Sequence, residues 1–329
     1  MKPLRGVTVL DLSRLLPGGY ASLLLAERGA RVVKIEQPGV GDYYRAVPGA
    51  PALLGDQVGV INAGKESLGL DLKAPEGRGI LKKLVRSADV VIESFRPGVL
   101  DKLGLGYARL RKIRPQVILC SITGFGQKGR SARLAGHDLN FLGLSGLLAR
   151  IRRPSGGFVI PDFQVVDLAT GYEAAMAVAA ALASRPRKGA HLDVSMHAAA
   201  SSMARLYAGP TPLDGRLACY GHYETSDGGW VTLGALEPKF WKKFCALVGK
   251  DESVSREELA AVFRARPSAE WKALGEREDI CLFPVCEEPE RPRPEKPFPP
   301  LGTHTVSILR KLRYTSKEIR ALKALGIVA

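Results

Sequence analysis

The feature that most constrains this chain is a regular alternation of short apolar strands and helical segments along its N-terminal half. Strand patterns are predicted at 6–12, 31–36, 89–93, 116–122 and 191–196. Helical patterns fall between them. One follows a turn at 17–19 and runs through Arg28, with Gly29 as its stop, and another, at 74–88, has a period near 3.6. Because each helix carries the chain back to the same end of the sheet, strands connected in this way pair in parallel. The sequence therefore predicts an α/β fold built on a parallel sheet.

A parallel sheet of this kind is Rossmann-like, and many such sheets bind dinucleotides. The dinucleotide fingerprint is G-x-G-x-x-G directly after the first strand, where the glycines let the backbone approach the pyrophosphate. Here the first strand is followed by SRLLPGG at 13–19, which lacks that spacing. An enzyme that uses a nicotinamide cofactor is therefore not expected.

Changes in composition divide the chain into two predicted domains. A large Rossmann-like domain covers 1–208 and is completed by 300–329, which contains a final helix at 316–325. A Gly- and Pro-rich linker precedes a smaller α+β domain at 215–290, which opens with a hairpin, and a Pro-rich, extended connection follows at 287–300. The large domain also contains an alanine-rich helix at 167–184, whose small side chains would let another helix approach closely, within the chain or across a dimer.

The composition is that of a globular enzyme-sized protein. Of 329 residues, 46% are apolar and 25% charged, and no apolar run reaches the ~20 residues that span a bilayer. The N-terminus enters a strand pattern at once, without a secretory signal. We therefore expect a cytoplasmic protein without a membrane partner. The five cysteines are odd in number and scattered, which favours free thiols over a metal site.

The net charge of +15 raises the question of which negatively charged ligand the protein binds. The basic residues occur in short bursts, and none shows the basic stripe with interleaved aromatic residues that is typical of nucleic-acid binding. A positive field still concentrates small polyanions. We therefore expect a small polyanionic ligand and no nucleic acid. A non-catalytic protein that binds nucleic acid or anions is an alternative of another class, and it rests on the charge alone.

Three segments place titratable side chains beside glycines or at predicted helix starts. His137 precedes a helical pattern, where the positive end of the helix dipole favours the neutral imidazole that accepts a proton. Asp167 stands where the long helix begins, and free backbone N–H groups there can stabilise a carboxylate or an oxyanion. Glu237, before Pro238, could hold the tautomer of a histidine. From the residues alone, each also has a structural interpretation: a packing residue, an N-cap and a helix-start acid.

The same three segments resemble the α-methylacyl-CoA racemase branch of the family III CoA-transferases (CaiB/BaiF type). They read GHDLNF at 136–141, VVDLATG at 165–171 and GALEP at 234–238. Further matches follow in the same order along nearly the whole chain: LDLSR at 10–14, VKIEQPG at 33–39, LDLK at 70–73, ESFRPGV at 93–99, TGFGQ at 123–127, PPLGTHT at 299–305 and LGIV at 325–328. So many motifs in register make the resemblance specific.

The resemblance implies a fold, an assembly and a reaction. The fold is a Rossmann-like large domain with a smaller α+β domain, and two chains interlock like rings in a homodimer. The reaction is the epimerisation of 2-methylacyl-CoA thioesters, in which an α-proton is removed and returned through an enolate. By this resemblance His137 and Asp167 are the two bases, and Glu237 orients His137. Backbone donors at the Asp167 helix start would stabilise the enolate oxygen. Coenzyme A is then part of the substrate, and neither a permanently bound cofactor nor a metal is expected.

The resemblance also implies a set of residues that contact the coenzyme. By motif these are Leu72, Lys73, Ser94, Phe95, Arg96, Lys102, Gly136, Asp138, Asn140 and Phe141. Lys73, Arg96 and Lys102 suit the phosphates, since each carries a positive charge. Gln37 stands where racemases often have a basic residue, so one phosphate contact is expected to be missing.

The nearest rival is a CoA-transferase of the same fold, which moves CoA between an acyl-CoA and a carboxylic acid. In that reaction the aspartate at position 167 attacks the thioester, and His137 is not needed as a base. Such enzymes often close a glycine-rich loop over the aspartate, and Gly228–Gly229 is the candidate here. The stretch at 286–300 is shorter than in relatives, which leaves the accepted acyl chain open.

Overall fold

The structure is a computed structural model that describes residues 1–46, 57–151, 156–184, 186–207, 209, 211–287 and 297–329. The chain divides into two compact units, Met1–Leu206 with Arg293–Ala329 and Tyr207–Pro292. Each unit has its own sheet and its own hydrophobic core. Most of the predicted Pro-rich connection and part of the predicted linker lie outside the described residues.

A parallel sheet forms the centre of the first unit. Its strands are β1 (Thr8–Asp11), β2 (Arg31–Glu36), β3 (Glu66–Gly69), β4 (Val90–Glu93), β5 (Ile118–Thr123) and β6 (Ala190–Ser195). They lie in the order β3-β2-β1-β4-β5-β6, and each neighbouring pair is parallel. The strand order reverses between β1 and β4, and ligands of such sheets bind beyond the carboxyl ends of the strands at that point. The predicted Rossmann-like α/β fold is confirmed.

Helices cover both faces of this sheet and make up much of the second unit. In chain order they are α1 (Leu16–Glu27), α2 (Tyr43–Ala46), α3 (Gln57–Ile61), α4 (Pro75–Val85), α5 (Val99–Lys102), α6 (Tyr107–Ile113), α7 (Asp138–Leu144), α8 (Val165–Ala183), α9 (Met196–Arg205), α10 (Pro238–Leu247), α11 (Arg256–Phe263), α12 (Ser268–Glu278), α13 (Thr305–Lys311) and α14 (Ser316–Ala324). The predicted helix through Arg28 and those at 74–88, 167–184 and 316–325 are all present. The turn predicted at 17–19 is wrong: these residues belong to the start of α1, where Pro17 is tolerated because the first N–H groups of a helix have no partner within it.

Alternating side chains of each strand enter two separate cores. Leu10, Val33 and Val91 face one core, which the C-terminal residues Ile327 and Val328 complete. Val9 and Val90 face the other, which is covered by α1 and α8. By length and composition alone α8 could cross a membrane, yet here it packs against α1, β5 and β6. Its small side chains allow the close approach that the sequence predicted.

Several short elements were not predicted from the sequence, among them β3 and α13, and the end of one strand was placed wrongly. Strand β3 has only four residues and contains Glu66, whose carboxylate pairs with Arg31 of β2 at 2.7 Å. Helix α13, with seven residues, is too short to show a period. Met196 was predicted to end a strand but begins α9, because the Ser195 hydroxyl accepts the N–H of Ala198 and caps the helix.

The second unit combines a small antiparallel sheet with α10, α11 and α12. Its strands are β7 (Tyr220–Glu224), β8 (Trp230–Gly234) and β9 (Leu282–Pro284), and β8 lies between the other two. The predicted hairpin corresponds to β7 and β8, which are antiparallel. Phe244, Phe263 and Trp271 are fully buried in its core. This unit is the smaller α+β part that the sequence predicted.

Four charged side chains are buried together where β1 and β2 end. This ion cluster, as we call it, consists of Asp11, Lys34, Asp42 and Lys65, each at most 2% exposed. The Lys34 Nζ lies 3.0 Å from Asp42 Oδ2 and 3.6 Å from Asp11 Oδ2. It also donates to the carbonyl of Ser13 at 2.7 Å. Two ammonium groups thus balance two carboxylates inside the core.

The ion cluster fastens the start of α1 to the sheet. The Lys65 Nζ donates to Asp11 and, at 2.9 Å, to the carbonyl of Gly19. The Ser22 hydroxyl, one turn further along α1, donates to the same aspartate. Burial alone would raise the pKa of Asp11, but Lys34 and Lys65 lower it to about 2. The aspartate is therefore ionised at neutral pH and holds the loop between β1 and α1.

We expect Lys34→Met to destabilise the first unit by about 3–5 kcal/mol, because it leaves buried carboxylates with one ammonium instead of two. Urea unfolding at pH 7, followed by circular dichroism, measures the loss. Circular dichroism is the suitable signal because Trp230, Trp241 and Trp271 all lie in the second unit. The exposed Lys112→Met is the matched control, with a change below about 0.5 kcal/mol. A loss of under about 1 kcal/mol for Lys34→Met would contradict the structural role of the cluster.

Candidate active site

A pocket opens at the carboxyl ends of the strands on either side of the order reversal. Its volume is about 240 Å³. The walls come from the segments that follow β1, β2, β3 and β4, and they include Arg14, Gln37, Lys73 and Phe95. The ion cluster forms part of the floor, because Lys34 and Asp42 also line the pocket. This is the place where a sheet with this strand order binds its ligand.

Three of the residues predicted to contact coenzyme A meet in this pocket. Leu72 and Lys73 follow β3, and Phe95 follows β4. Ser94 stands behind the wall, where its hydroxyl accepts the N–H of Arg14 at 2.9 Å and so ties the segments after β1 and β4 together. Gln37 lines the pocket too, so the expected loss of a basic residue falls at a position that faces the ligand space.

The predicted phosphate-binding cations are exposed and available. Lys73 lines the large pocket, Arg96 lines a second cavity of about 20 Å³ beside it, and Lys102 ends α5. In the part of the chain that the structure describes, none of the three forms an ion pair. Unpaired cations at the edge of a pocket favour a ligand with several negative charges. The assignment of these residues to phosphates stays a prediction.

Arg14 is a pocket residue that the sequence interpretation missed. Its guanidinium lies 4.7 Å from the ring centre of Tyr43 and 5.8 Å from that of Phe95, and it donates to the Tyr43 hydroxyl at 2.6 Å. It lies three residues after the end of β1, and the rule that ligands bind beyond the carboxyl ends of parallel strands could have indicated it.

The starts of α7 and α8 are joined by one carboxylate. Asp138 Oδ1 accepts the backbone N–H of Val166 at 2.7 Å and of Asp167 at 2.9 Å. His137 directly precedes α7, and its own N–H is accepted by Asn140 Oδ1 at 2.9 Å. The segments that carry the two predicted bases, His137 and Asp167, are thereby fixed to each other.

The environment of Asp167 differs from the one expected. Helix α8 begins at Val165, so Asp167 lies within the first turn and is not the N-cap. Its N–H and that of Val166 are taken by Asp138, so they cannot stabilise an enolate as the sequence predicted. The Asp167 side chain is 7% exposed, and within the described residues its Oδ1 has no hydrogen-bond partner. Burial, helped by the nearby charge of Asp138, raises the pKa of Asp167 to about 7.

Phe141 packs in the core beneath the start of α7. It is fully buried, although it was predicted to contact the coenzyme, and it packs edge-on against Phe125. A Cβ at Gly124 or Gly136 would come within 2.8 Å of the Phe141 ring, so both glycines are required for space. Of the GHDLNF segment, His137, Leu139 and Asn140 are exposed.

A short stretch of chain leads from the pocket to the Asp167 region. Arg14 lines the pocket, and the next two residues, Leu15 and Leu16, pack in a small apolar cluster with Tyr20 and Leu168. Leu15 has a φ of 63°, a left-handed conformation that is costly for a branched side chain. Such strain is maintained where the surrounding structure over-determines it, which is common at functional sites.

Glu237 belongs to the second unit, whereas His137 belongs to the first. Glu237 directly precedes α10, is exposed, and makes no capping hydrogen bond with that helix. Its place at the start of α10 agrees with the structural interpretation of a helix-start acid. Its predicted role as the partner of His137 stays a prediction.

Comparisons with known proteins show which family the chain resembles. The family model described as CoA-transferase family III matches residues 4–291. Alpha-methylacyl-CoA racemase of Homo sapiens is 31% identical over 385 aligned positions, which cover 99% of this chain and 97% of that protein. Succinyl-CoA:glutarate CoA-transferase of Mus musculus is 32% identical over 317 positions, which cover 87% of this chain and 72% of that protein. Similarity alone does not choose between the two reactions.

Solved structures with a similar fold agree with this family match. A CAIB/BAIF family protein from Brucella suis superposes with a TM-score of 0.77 at 28% identity, covering 94% of this chain and 99% of that one. A protein of Mycobacterium tuberculosis superposes with a TM-score of 0.75 at 27% identity over the same share of this chain. The likeness extends over both units of the chain.

We expect Asp167→Asn to change how stability depends on pH. The raised pKa means that the folded chain keeps the Asp167 proton up to about pH 7, whereas the unfolded chain loses it near its ordinary value of 3.8. The stability of the wild type should therefore fall by about 1.4 kcal/mol per pH unit in that window, relative to the variant. Between pH 5 and pH 7 the difference should change by about 2 kcal/mol in urea unfolding, because the slope halves as pH reaches the folded pKa. The exposed Asp162→Asn is the control, and parallel curves for Asp167→Asn and wild type would contradict the raised pKa.

Proposed function

Because the chain belongs to CoA-transferase family III, we propose that it is an α-methylacyl-CoA racemase-like isomerase that epimerises 2-methylacyl-CoA thioesters. His137 and Asp167 are the proposed bases. The observation that carries the proposal is the state of Asp167, a buried carboxyl with a free oxygen and a pKa of about 7. Such a group both accepts and returns a proton near neutral pH, as epimerisation requires.

The proposed substrate lies with its nucleotide in the pocket after β1 to β4 and its acyl group toward Asp167. Lys73 lines the pocket, and Arg96 and Lys102 each adjoin a lining residue in the sequence. These three side chains are proposed to supply positive charge for the phosphates. The apolar cluster of Leu15, Leu16 and Leu168 follows the pocket along the chain and suits an apolar acyl group. Coenzyme A is thereby part of the substrate, and no resident cofactor is proposed.

In the proposed reaction, one base removes the α-proton while the other returns a proton to the opposite face. The thioester carbonyl becomes an enolate oxygen, whose charge needs a donor. The N–H groups of Val166 and Asp167 are already used by Asp138, so the donor must come from elsewhere. We assign it to the backbone N–H of Asp138 itself, which adjoins His137 and has no acceptor within the described residues. Glu237 is proposed to orient the His137 ring, as the resemblance implies.

The rival is a CoA-transferase in which Asp167 attacks the thioester, and relatives with that activity are as similar as the racemases. A transferase nucleophile must be ionised, which a pKa near 7 disfavours below neutral pH. The candidate loop Gly228–Gly229 is the turn of the β7–β8 hairpin, closed by bonds between the backbones of Thr225 and each glycine. A closed hairpin turn is a poor cover for an aspartate, which favours the isomerase.

We also propose that two copies of the chain associate. The first unit exposes several large apolar side chains between 134 and 176, and an apolar patch on a surface is typical of an interaction site. They include Leu134, Leu144, Phe158, Ile160, Phe163, Tyr172 and Met176. The interlocked homodimer implied by the family resemblance would cover such surface.

Incubation of the enzyme with (2R)- and (2S)-2-methylacyl-CoA in D2O tests the reaction. Wild type should epimerise both and introduce deuterium at the α-carbon without any free acid. His137→Gln and Asp167→Asn should each lower the epimerisation rate by about 10²–10⁴. Each variant keeps one base, so each should still exchange deuterium into one epimer only, and the two variants should prefer opposite epimers.

The exposed Asp162→Asn should behave like wild type in this assay. The transferase alternative gives a different pattern: product forms only when a carboxylic acid is added, no α-deuterium appears, and His137→Gln is as active as wild type. That pattern would exclude the isomerase.

We expect Lys73→Ala to raise the Kd for acetyl-CoA about tenfold, since a hydrogen bond to a charged group contributes about 1.5–3 kcal/mol. Isothermal titration calorimetry at two salt concentrations checks this, because the variant should also depend less on salt. The exposed Lys112→Ala, which removes an equal charge away from the pocket, should leave the Kd unchanged within twofold. If both variants raised the Kd equally, the effect would come from the net charge of the protein and not from a contact between Lys73 and the ligand.

A further inference from the structure

A second polar cluster lies behind the pocket wall and takes no part in the proposed reaction. It surrounds Glu93, the last residue of β4, which is 3% exposed. Glu93 Oε2 accepts the backbone N–H of Phe95 at 2.7 Å. Phe95 lines the large pocket, so the carboxyl of Glu93 fixes the turn that carries a pocket wall. Burying a carboxyl costs free energy, so a role in closing this turn alone does not account for Glu93.

Glu93 faces the small cavity of about 20 Å³, which has room for a single water molecule. The Ser121 hydroxyl lines it and lies 3.0 Å from Nε2 of His191. Gln127 lines it as well, and within the described residues its buried Nε2 has no hydrogen-bond partner. His191 is exposed. The cavity thus offers polar partners for a water molecule and a route by which a proton can pass between Glu93 and solvent.

Titratable and charged groups from several elements surround the Glu93 carboxyl. The titratable and charged groups that surround it are Arg96 from its own loop, Asp101 on α5, Tyr107 on α6, Cys120 on β5, and His191 and Asp193 on β6. Burial is the largest effect and raises the pKa of Glu93 to about 7, with Asp101 and Asp193 acting in the same direction. The Ser121 hydroxyl and the Phe95 N–H act against it.

We propose that Glu93 is a positioning residue whose ionised carboxylate holds the Phe95 segment in the shape that receives coenzyme A, and that its protonation loosens this segment and weakens binding. A charged acceptor forms a hydrogen bond roughly twice as strong as a neutral one. A protonated carboxyl can also turn its O–H toward Ser121 and release the Phe95 N–H. The inference rests on the proposed function, in that it takes the large pocket as the coenzyme site.

The direction of the pH effect follows from linkage. If binding selects the ionised form, the Kd is lowest above pH 7 and rises as pH falls through about 7. A fully linked group with that pKa gives a Kd about tenfold higher at pH 6 than at pH 8. Glutamine at position 93 keeps an acceptor of the same shape but carries no charge. It should therefore bind with the weaker, low-pH Kd at both pH values.

The experiment measures the Kd of 3′-dephospho-CoA by titration calorimetry at pH 6, 7 and 8. This ligand avoids the 3′-phosphate monoester, whose own ionisation near pH 6 would add a second pH dependence. Wild type should show the tenfold change, and Glu93→Gln should be flat within twofold. The exposed Glu27→Gln is the matched control and should follow wild type.

His191→Gln removes the imidazole that contacts Ser121 beside Glu93, and it should keep the wild-type profile. Asp101→Asn leaves Glu93 in place but removes a charge that raises its pKa, so the midpoint should move to lower pH. This variant tests the idea even if Glu93→Gln does not fold. A wild-type profile in Glu93→Gln, a flat profile in His191→Gln, or tighter binding at pH 6 would overturn the inference. If wild type binds neither CoA nor dephospho-CoA at any pH, the proposed function fails instead.

Discussion

The structure of the first unit depends on the burial of four charges at the ends of β1 and β2. Asp11, Lys34, Asp42 and Lys65 are removed from water, which costs several kcal/mol for each ion unless the charges are paired and hydrogen-bonded. Their donors and acceptors reach the Ser13 and Gly19 carbonyls, so the pairing that offsets this cost also fixes the chain between β1 and α1. That chain carries Arg14 into the pocket. The hydrogen bonds that make the burial of the ions possible are therefore the same ones that hold the pocket floor in place.

The sequence predicts the fold well because it depends on repeated local patterns. Apolar strands that alternate with periodic helices leave few arrangements other than a parallel sheet, and the glycines at 29 and 326 stop helices where positive φ is needed. Strand β3 is not predictable in the same way. It is four residues long, and its Glu66 is stabilised by Arg31, which is 35 residues away along the chain.

For the candidate site, the sequence indicates residues but not the contacts between them. The motifs point to His137, Asp167 and the segment after β4, and the structure places Leu72, Lys73 and Phe95 around one pocket. No pattern reveals that Asp138 accepts two N–H groups of another helix, because that contact joins residues 28 and 29 positions apart. The same holds for Glu93, whose environment is assembled from β5, β6 and α5. Long-range electrostatics of this kind appears only once the sheet has formed.

The contact between Asp138 and α8 has a consequence for ligands of the site. A helix start with free N–H groups attracts sulfate, phosphate and carboxylate ions from any buffer. Here the protein supplies its own anion to two of those groups, so small ions from solution meet a place that is already filled. A ligand that carries a carboxylate should therefore gain nothing by reaching toward α8, whereas a neutral group avoids the charge of Asp138.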